Sequence, residues 1–194
     1  MLKRLPLPEA EIWFDPEFLA ATRADALFDQ LRQQIAWETH RIKLFGREVD
    51  SPRLSSWIGD QGASYVYSNT RFEPRPWPPA LTILRKEIGI AADERFNSVL
   101  ANLYRDGRDS MGWHCDDEPE LGPSPVIASL SLGAIRRFCL KHKRAGSKSI
   151  ALELPHGSLL LMRGETQKNY RHALPKTAKP VGERINLTFR RIHR

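Results

Sequence analysis

The sequence predicts a mainly β protein, a sandwich or jelly roll with flanking helices. Three observations carry that prediction. From about residue 95 onward, short β-like runs follow one another at 96–104, 126–132, 137–141, 150–154, 158–162 and 184–192. Turn signals separate them, among them Asp106-Gly107, Gly122-Pro123 and His156-Gly157. Helical periodicity is confined to the part of the chain before these runs.

In that earlier part, Asp15-Pro16 reads as an N-cap followed by proline at the first helical position. Leu27, Phe28, Leu31 and Ile35 then recur at helical spacing and predict a helix over 16–36. Residues 37–45 read as a strand with a turn at Gly46, and Tyr65-Val66-Tyr67 as another short strand. A second helix starts at Pro78-Pro79, packs Leu81, Leu84 and Ile88, and stops at Gly89. The helices are expected to buttress one sheet. No repeat, low-complexity segment or linker interrupts the chain. The expectation is one domain over 1–194, with 1–94 an extension and lid and 95–194 the core.

The 194 residues suffice for one core, and 41% apolar with 27% charged residues is ordinary for a soluble globular protein. No apolar run approaches the roughly 20 residues that span a bilayer. No apolar stretch follows Lys3 and Arg4, so no secretory signal is read. The expected compartment is the cytoplasm, or the nucleus in a eukaryote. Cys115 and Cys139 are too few for a disulfide framework and are expected to be reduced. A net charge of +7 and a pI near 9.7 favour a polyanionic partner, nucleic acid being the commonest.

The segment Trp113-His114-Cys115-Asp116 carries the chemistry. Residues i and i+2 of an extended segment point to one side, so His114 and Asp116 can offer an imidazole and a carboxylate to one point. A third ligand must come from His40, His142, His156, His172 or His193. His172, between strand-like segments, is the preferred one. Two histidines and a carboxylate make the facial triad of non-haem iron(II) oxygenases, although zinc hydrolases can use the same set.

The last strand, Arg184-Ile185-Asn186-Leu187-Thr188-Phe189-Arg190, alternates strictly. Such a pattern ordinarily marks an antiparallel strand with one wet face. The alternative turns Arg184, Asn186, Thr188 and Arg190 into the mouth of a barrel, where two guanidinium groups suit a dicarboxylate. Asn102 and Tyr104 share a face of their own strand and can complete that pocket. A dicarboxylate beside such a metal points to 2-oxoglutarate, and to iron over zinc.

With Asn102-Leu103-Tyr104, His114-Cys115-Asp116-Asp117-Glu118, Ser129-Leu130-Ser131-Leu132-Gly133, His156-Gly157-Ser158-Leu159, His172 with Leu174-Pro175, and the run from Arg184 to Arg190, the chain resembles the AlkB family of iron- and 2-oxoglutarate-dependent dioxygenases. The likeness covers about residues 35–192 and is strongest to the branch that repairs alkylated DNA. It implies a double-stranded β-helix, a jelly-roll variant, with an N-terminal helical and hairpin lid. It implies Fe(II) on His114, Asp116 and His172. It implies 2-oxoglutarate on Asn102, Tyr104, Arg184 and Arg190, with Asn186 and Thr188 lining the site and O2 as the second cosubstrate. Arg184 and Tyr104 are expected at the distal carboxylate, Arg190 and Asn102 at the metal-bound end. The implied reaction is oxidative demethylation of 1-methyladenine or 3-methylcytosine, releasing formaldehyde, succinate and CO2.

The methyl group of those bases lies on the Watson–Crick edge, so the base must be flipped or single-stranded. The resemblance puts Tyr65, Tyr67 and Ser68 against the base, with His172 on its other face. Asp117 would accept from the exocyclic amine and Glu118 lies beside it; a supporting role for Asp117 behind the iron is the alternative. Leu44-Phe45-Gly46 resembles a wedge that fills the gap left by a flipped base, or else a hairpin tip packed on its own core. Arg53 and the cluster Lys141-His142-Lys143-Arg144 are candidate phosphate contacts. The expected partner is alkylated DNA, single- or double-stranded, with RNA the alternative and a catalytically inactive nucleic-acid-binding module a further one. The expected state is a monomer that does not engage a membrane.

Overall fold

The structure is a computed structural model. It describes residues 1–193 except 45–46 and 68–69, with backbone alone for 42–44, 47–48, 65–67 and 70–72. The first half holds β1 (Lys3–Arg4), β2 (Glu11–Asp15), α1 (Ala21–Gln34), β3 (Arg41–Leu44), β4 (Arg47–Asp50), β5 (Leu54–Gly59), β6 (Tyr65–Tyr67), β7 (Thr70–Phe72) and α2 (Pro79–Ala92). The second holds β8 (Ser98–Tyr104), β9 (Met111–His114), β10 (Ile127–Gly133), β11 (Arg136–His142), β12 (Ser149–Leu154), β13 (Ser158–Arg163), α3 (Thr166–Asn169), β14 (Tyr170–Leu174) and β15 (Arg184–Arg190).

Alternation along the central strands builds two packed layers. The larger sheet runs β1-β2-β13-β10-β15-β8-β5 and the smaller β12-β11-β14-β9, all ladders antiparallel. On β15, Ile185, Leu187 and Phe189 are fully buried and join Leu130 and Leu132 of β10. This face packs on Leu27 and Leu31 of α1 and Leu81, Leu84 and Ile88 of α2. A second cluster joins Ile127, Leu160 and Met162 of the larger sheet to Phe138 and Leu140 of the smaller. The mainly β jelly roll with helices against one sheet, expected from the sequence, is therefore what forms.

The polar face of β15 is not wet. Arg184 is 0% exposed and Arg190 2%, because the helices cover the apolar face and the smaller sheet stands over the polar one. Alternation says that two faces differ; it does not say what covers either.

Several boundaries move for identifiable reasons. The helix expected from 16 starts at Ala21, because Glu11–Asp15 is a strand paired with β13 and Asp15 is its buried last residue, not an N-cap. The helix expected to stop at Gly89 runs to Ala92 and ends on Asp93, whose φ of 47° is left-handed. Gly89 serves a close approach instead: a Cβ there would lie 2.8 Å from the Glu94 carbonyl, which belongs to the chain folding back. The strand expected over 37–45 is shorter, with an isolated bridge between Glu38 and Ser55 before β3 begins. β5 is an addition, since Leu-Ser-Ser-Trp-Ile-Gly does not alternate. With β1 and β2, it brings residues from before 95 into the main sheet. β3–β4 and β6–β7 form two hairpins outside both sheets.

Removing the Leu187 side chain leaves a void between β15 and the helices. Leu187→Ala is expected to lower unfolding free energy by about 2–5 kcal/mol in a urea titration, and a loss under about 1 kcal/mol would contradict this packing.

Candidate active site

Two strands bring the histidines together. β14 pairs with β9 with His172 directly opposite His114, and their rings lie 4.2 Å apart, edge to face. β9 ends at His114, and two residues on, Asp116 is 2% exposed. What holds it there is Gln167 of α3: its Oε1 accepts from the Asp116 N–H at 2.9 Å, replacing a strand partner. The imidazole and carboxylate ligand atoms of His114, Asp116 and His172 lie within 4.8 Å of one another.

Each of these groups is prepared for a metal. The His114 Nδ1–H donates to the Gly112 carbonyl at 2.8 Å, which leaves Nε2 as a lone-pair donor. Burial lowers the His114 pKa and drives that of His172 to about 3, His114 adding to the latter shift, so both imidazoles are neutral at physiological pH. Burial acts to raise the Asp116 carboxyl, but the Arg190 guanidinium and the two imidazoles outweigh it and hold the group below its ordinary value. Arg190 donates to Oδ1 at 2.5 Å, leaving Oδ2, 3.7 Å from His172 Nε2, for coordination. Neutral imidazoles and an ionised carboxylate are the donor set a divalent metal requires.

A cavity opens at this cluster. With the three residues it is lined by Asn102 and Tyr104 of β8, Asn186, Thr188 and Arg190 of β15, and Ser129 of β10. Register explains the grouping: Arg184 pairs with Tyr104, Asn186 with Asn102, and Arg190 with Ser98. Arg184 does not line the cavity itself. It lies behind Tyr104, its guanidinium carbon 5.3 Å from that ring, and donates to Ser131 Oγ at 2.8 Å. Its Nε and Nη1 are buried with no hydrogen-bond partner among the described residues. Burial pulls its pKa down to about 10, which still leaves it charged at neutral pH. A buried cation with two unused donors fits an anionic group of a ligand.

Other expected site residues fall elsewhere. Arg53, read as a phosphate contact, is 5% exposed and donates to Asn102 Oδ1 at 2.7 Å, so its charge is turned inward. Asp117 is exposed, accepts from Cys115 Sγ at 3.0 Å, lies 3.6 Å from Lys143 Nζ and does not line the cavity. Glu118 is half-buried before the turn at Pro119–Leu121 and does not line the cavity. Phe45, Gly46 and Ser68 lie outside the described residues, as do the side chains of Leu44, Tyr65 and Tyr67. Two of the other candidate ligand histidines have different partners, His142 with Glu9 and His156 with the Gly133 N–H, and neither His40 nor His193 belongs to the cluster. Both cysteines are free.

Sequence reasoning missed Gln167, which no motif marks and which meets Asp116 only through the fold. Ser129 and Ser131 were legible only as part of a longer motif.

A jelly roll with two imidazoles and one carboxylate at a polar cavity defines a class, the non-haem iron oxygenases. A family model described as the 2OG-Fe(II) oxygenase superfamily matches residues 12–190. Alpha-ketoglutarate-dependent dioxygenase alkB homolog 3 of Bos taurus is 38% identical over 187 residues, covering 92% of this chain and 65% of its own length. DNA oxidative demethylase ALKBH2 of Homo sapiens is 39% identical over 179 residues, covering 87% of this chain and 69% of its own length. This chain thus spans about two thirds of these relatives. The solved structure of OsALKBH1 shares the fold at a TM-score of 0.69 and 15% identity, covering 98% of this chain and 100% of that one. The chain belongs to the AlkB family of 2OG-Fe(II) oxygenases. The family's Fe(II), 2-oxoglutarate and O2 suit the donor set and buried guanidinium described above.

Two outcomes follow. Gln167→Ala frees the Asp116 backbone and is expected to weaken Fe(II) binding about tenfold in a competition titration, while Lys168→Ala, exposed beside it, leaves binding unchanged. The second concerns pH in the metal-free protein. The unfolded chain protonates its histidines below about pH 6.5, whereas folded His172 stays neutral to about 3. Stability from this source is whole above pH 6.5 and is lost as pH falls toward 3. Urea titrations over that window should show a shallower loss for His172→Gln; equal slopes would contradict the buried neutral imidazole.

Proposed function

We propose that this chain is an Fe(II)- and 2-oxoglutarate-dependent demethylase of N-alkylated bases in DNA, 1-methyladenine and 3-methylcytosine first among them. The observation that carries the reading is the pair of buried arginines on β15. Arg190 bonds the metal-binding carboxylate, and Arg184 holds two unused donors beyond Tyr104. Two buried guanidinium groups on one strand face, one of them beside that carboxylate, supply the positive charge a dicarboxylate needs.

His114, Asp116 and His172 hold the iron in this reading. Arg190 and Asn102 receive the metal-bound end of 2-oxoglutarate, and Arg184 and Tyr104 its distal carboxylate, with Asn186 and Thr188 along the wall. When bound, iron and 2-oxoglutarate supply oxidation of an N-methyl group by dioxygen, with succinate, CO2 and formaldehyde as products. The protein's own part is to orient the cosubstrate, keep both imidazoles neutral, and present the methyl group away from water.

DNA as the partner rests on three supports. A relative 39% identical is named a DNA oxidative demethylase. The chain carries a net charge of +7. Two hairpins stand outside both sheets, and in this reading they form the lid over a flipped base. In this reading Tyr65, Tyr67 and Ser68 meet the flipped base, and Leu44, Phe45 and Gly46 fill the gap it leaves. The exocyclic amine of the base is assigned to Asp117 in this reading, with Glu118 beside it. The protein acts as a monomer.

Wild-type protein given Fe(II), 2-oxoglutarate and a 1-methyladenine oligonucleotide is expected to release formaldehyde and succinate, and His114→Ala neither. Turnover on methylated RNA but not DNA would move the substrate class, and no turnover on either would leave an inactive binding module. Phe45→Ala is expected to lose duplex repair at least about fivefold more than single-strand repair, since a wedge offsets lost stacking only in a duplex; equal losses would remove the wedge.

A further inference from the structure

Arg53 stands three residues beyond the β3–β4 hairpin and is turned into the protein. Its Nε donates to Asn102 Oδ1 at 2.7 Å, and its Nη1 lies 3.5 Å from the Ser110 carbonyl. The Ser110 N–H in turn donates to the Pro52 carbonyl at 3.0 Å, so residues 52–53 are tied to the segment that enters β9. Arg53 is 5% exposed and Asn102 1%. Neither side chain rearranges at low cost in such surroundings.

A guanidinium carries donors only, so the atom of an amide that faces it must be the oxygen. This fixes which way the Asn102 amide is turned. Its oxygen is committed to Arg53, and its nitrogen, with two N–H donors, is the half left for the cavity that Asn102 lines. A carboxylate ligand requires donors there. With the amide reversed, the same residue would set an oxygen against the ligand's oxygens and repel it. We propose that Arg53 is a positioning residue for the cosubstrate: it locks the Asn102 amide with its N–H donors toward the carboxylate of 2-oxoglutarate. Arg53 acts through Asn102 and touches neither the nucleic acid nor the cosubstrate. The inference rests on the 2-oxoglutarate reading given above.

The test compares wild type, Arg53→Met and Arg53→Lys. Methionine keeps much of the stem and removes every donor; lysine restores one. The first readout is calorimetric titration of 2-oxoglutarate into the Mn(II)-loaded protein without nucleic acid. Arg53→Met is expected to raise Kd about tenfold, the loss of one charge-assisted hydrogen bond that orders a ligand group, and Arg53→Lys to recover part of it. The second is a split of Michaelis constants: KM for 2-oxoglutarate rises, while KM for a 1-methyladenine oligonucleotide and kcat at saturating 2-oxoglutarate stay within about twofold. Asn102→Asp guards against a variant that does not fold. It keeps an oxygen for Arg53 and removes the N–H donors, so it should stay folded and lose 2-oxoglutarate affinity. An unchanged Kd in Arg53→Met or Asn102→Asp overturns the inference, as does a rise confined to the oligonucleotide KM, which would return Arg53 to phosphate binding. Absence of 2-oxoglutarate binding in wild type would instead overturn the cosubstrate reading beneath it.

Discussion

Arg184 and Arg190 lie on one face of a central strand, both out of contact with water. Taking a guanidinium out of water costs several kcal/mol even after relaxation, so such a group must be matched by an anion or by good acceptors. Arg190 has its match in Asp116. Arg184 has one side-chain acceptor, Ser131, and two donors without partners among the described residues. Much of the architecture follows from enclosing these two charges. The helices take the apolar face of β15, the smaller sheet closes over the polar face, and the strands beside β15 contribute Asn102, Tyr104, Ser129 and Ser131 around the guanidinium groups. An apolar strand in this place would pack more cheaply. The arrangement makes sense where the enclosed charge is used to hold a ligand.

The same enclosure sets the metal chemistry. Burial keeps His114 and His172 neutral, and the charge of Arg190 keeps Asp116 ionised against that burial. Arg190 of β15 therefore sets the charge state of Asp116 and lines the same cavity. The ladder from β9 to β14 puts the two imidazoles opposite each other, and Gln167 holds Asp116 in line where the ladder stops. Geometry and protonation state have a common origin in the packing of two sheets.

Much of this was legible in the sequence because period-2 patterns and the i, i+2 spacing of His114 and Asp116 are local. The identity of the third ligand was not local. His172 stands out from the other histidines once β14 is paired with β9, since strand pairing over more than fifty residues cannot be read from spacing. The wet-face reading of β15 was the ordinary one and was overturned by what packs on each side of it. Asp15-Pro16 carried a helix-start signal that pairing with β13 overrode, and Gly89 carried a stop signal where the chain needed a close approach. Arg53 shows the same limit for function. A basic residue after a hairpin suggests phosphate, and only the folded chain reveals that its charge is turned toward Asn102.

The most direct test of the buried cations as a ligand site is a comparison of two 2-oxo acids. Mn(II)-loaded protein is titrated by calorimetry with 2-oxoglutarate and with pyruvate, which has the same metal-binding end and no distal carboxylate. A dicarboxylate site with Arg184 at its far end binds 2-oxoglutarate at least about a hundredfold more tightly, the discrimination expected of a paired, buried charge. Arg184→Met should erase most of that preference while leaving pyruvate affinity nearly unchanged. Equal binding of the two acids by the wild type would contradict the assignment of Arg184, and with it the reason for burying both arginines on one strand.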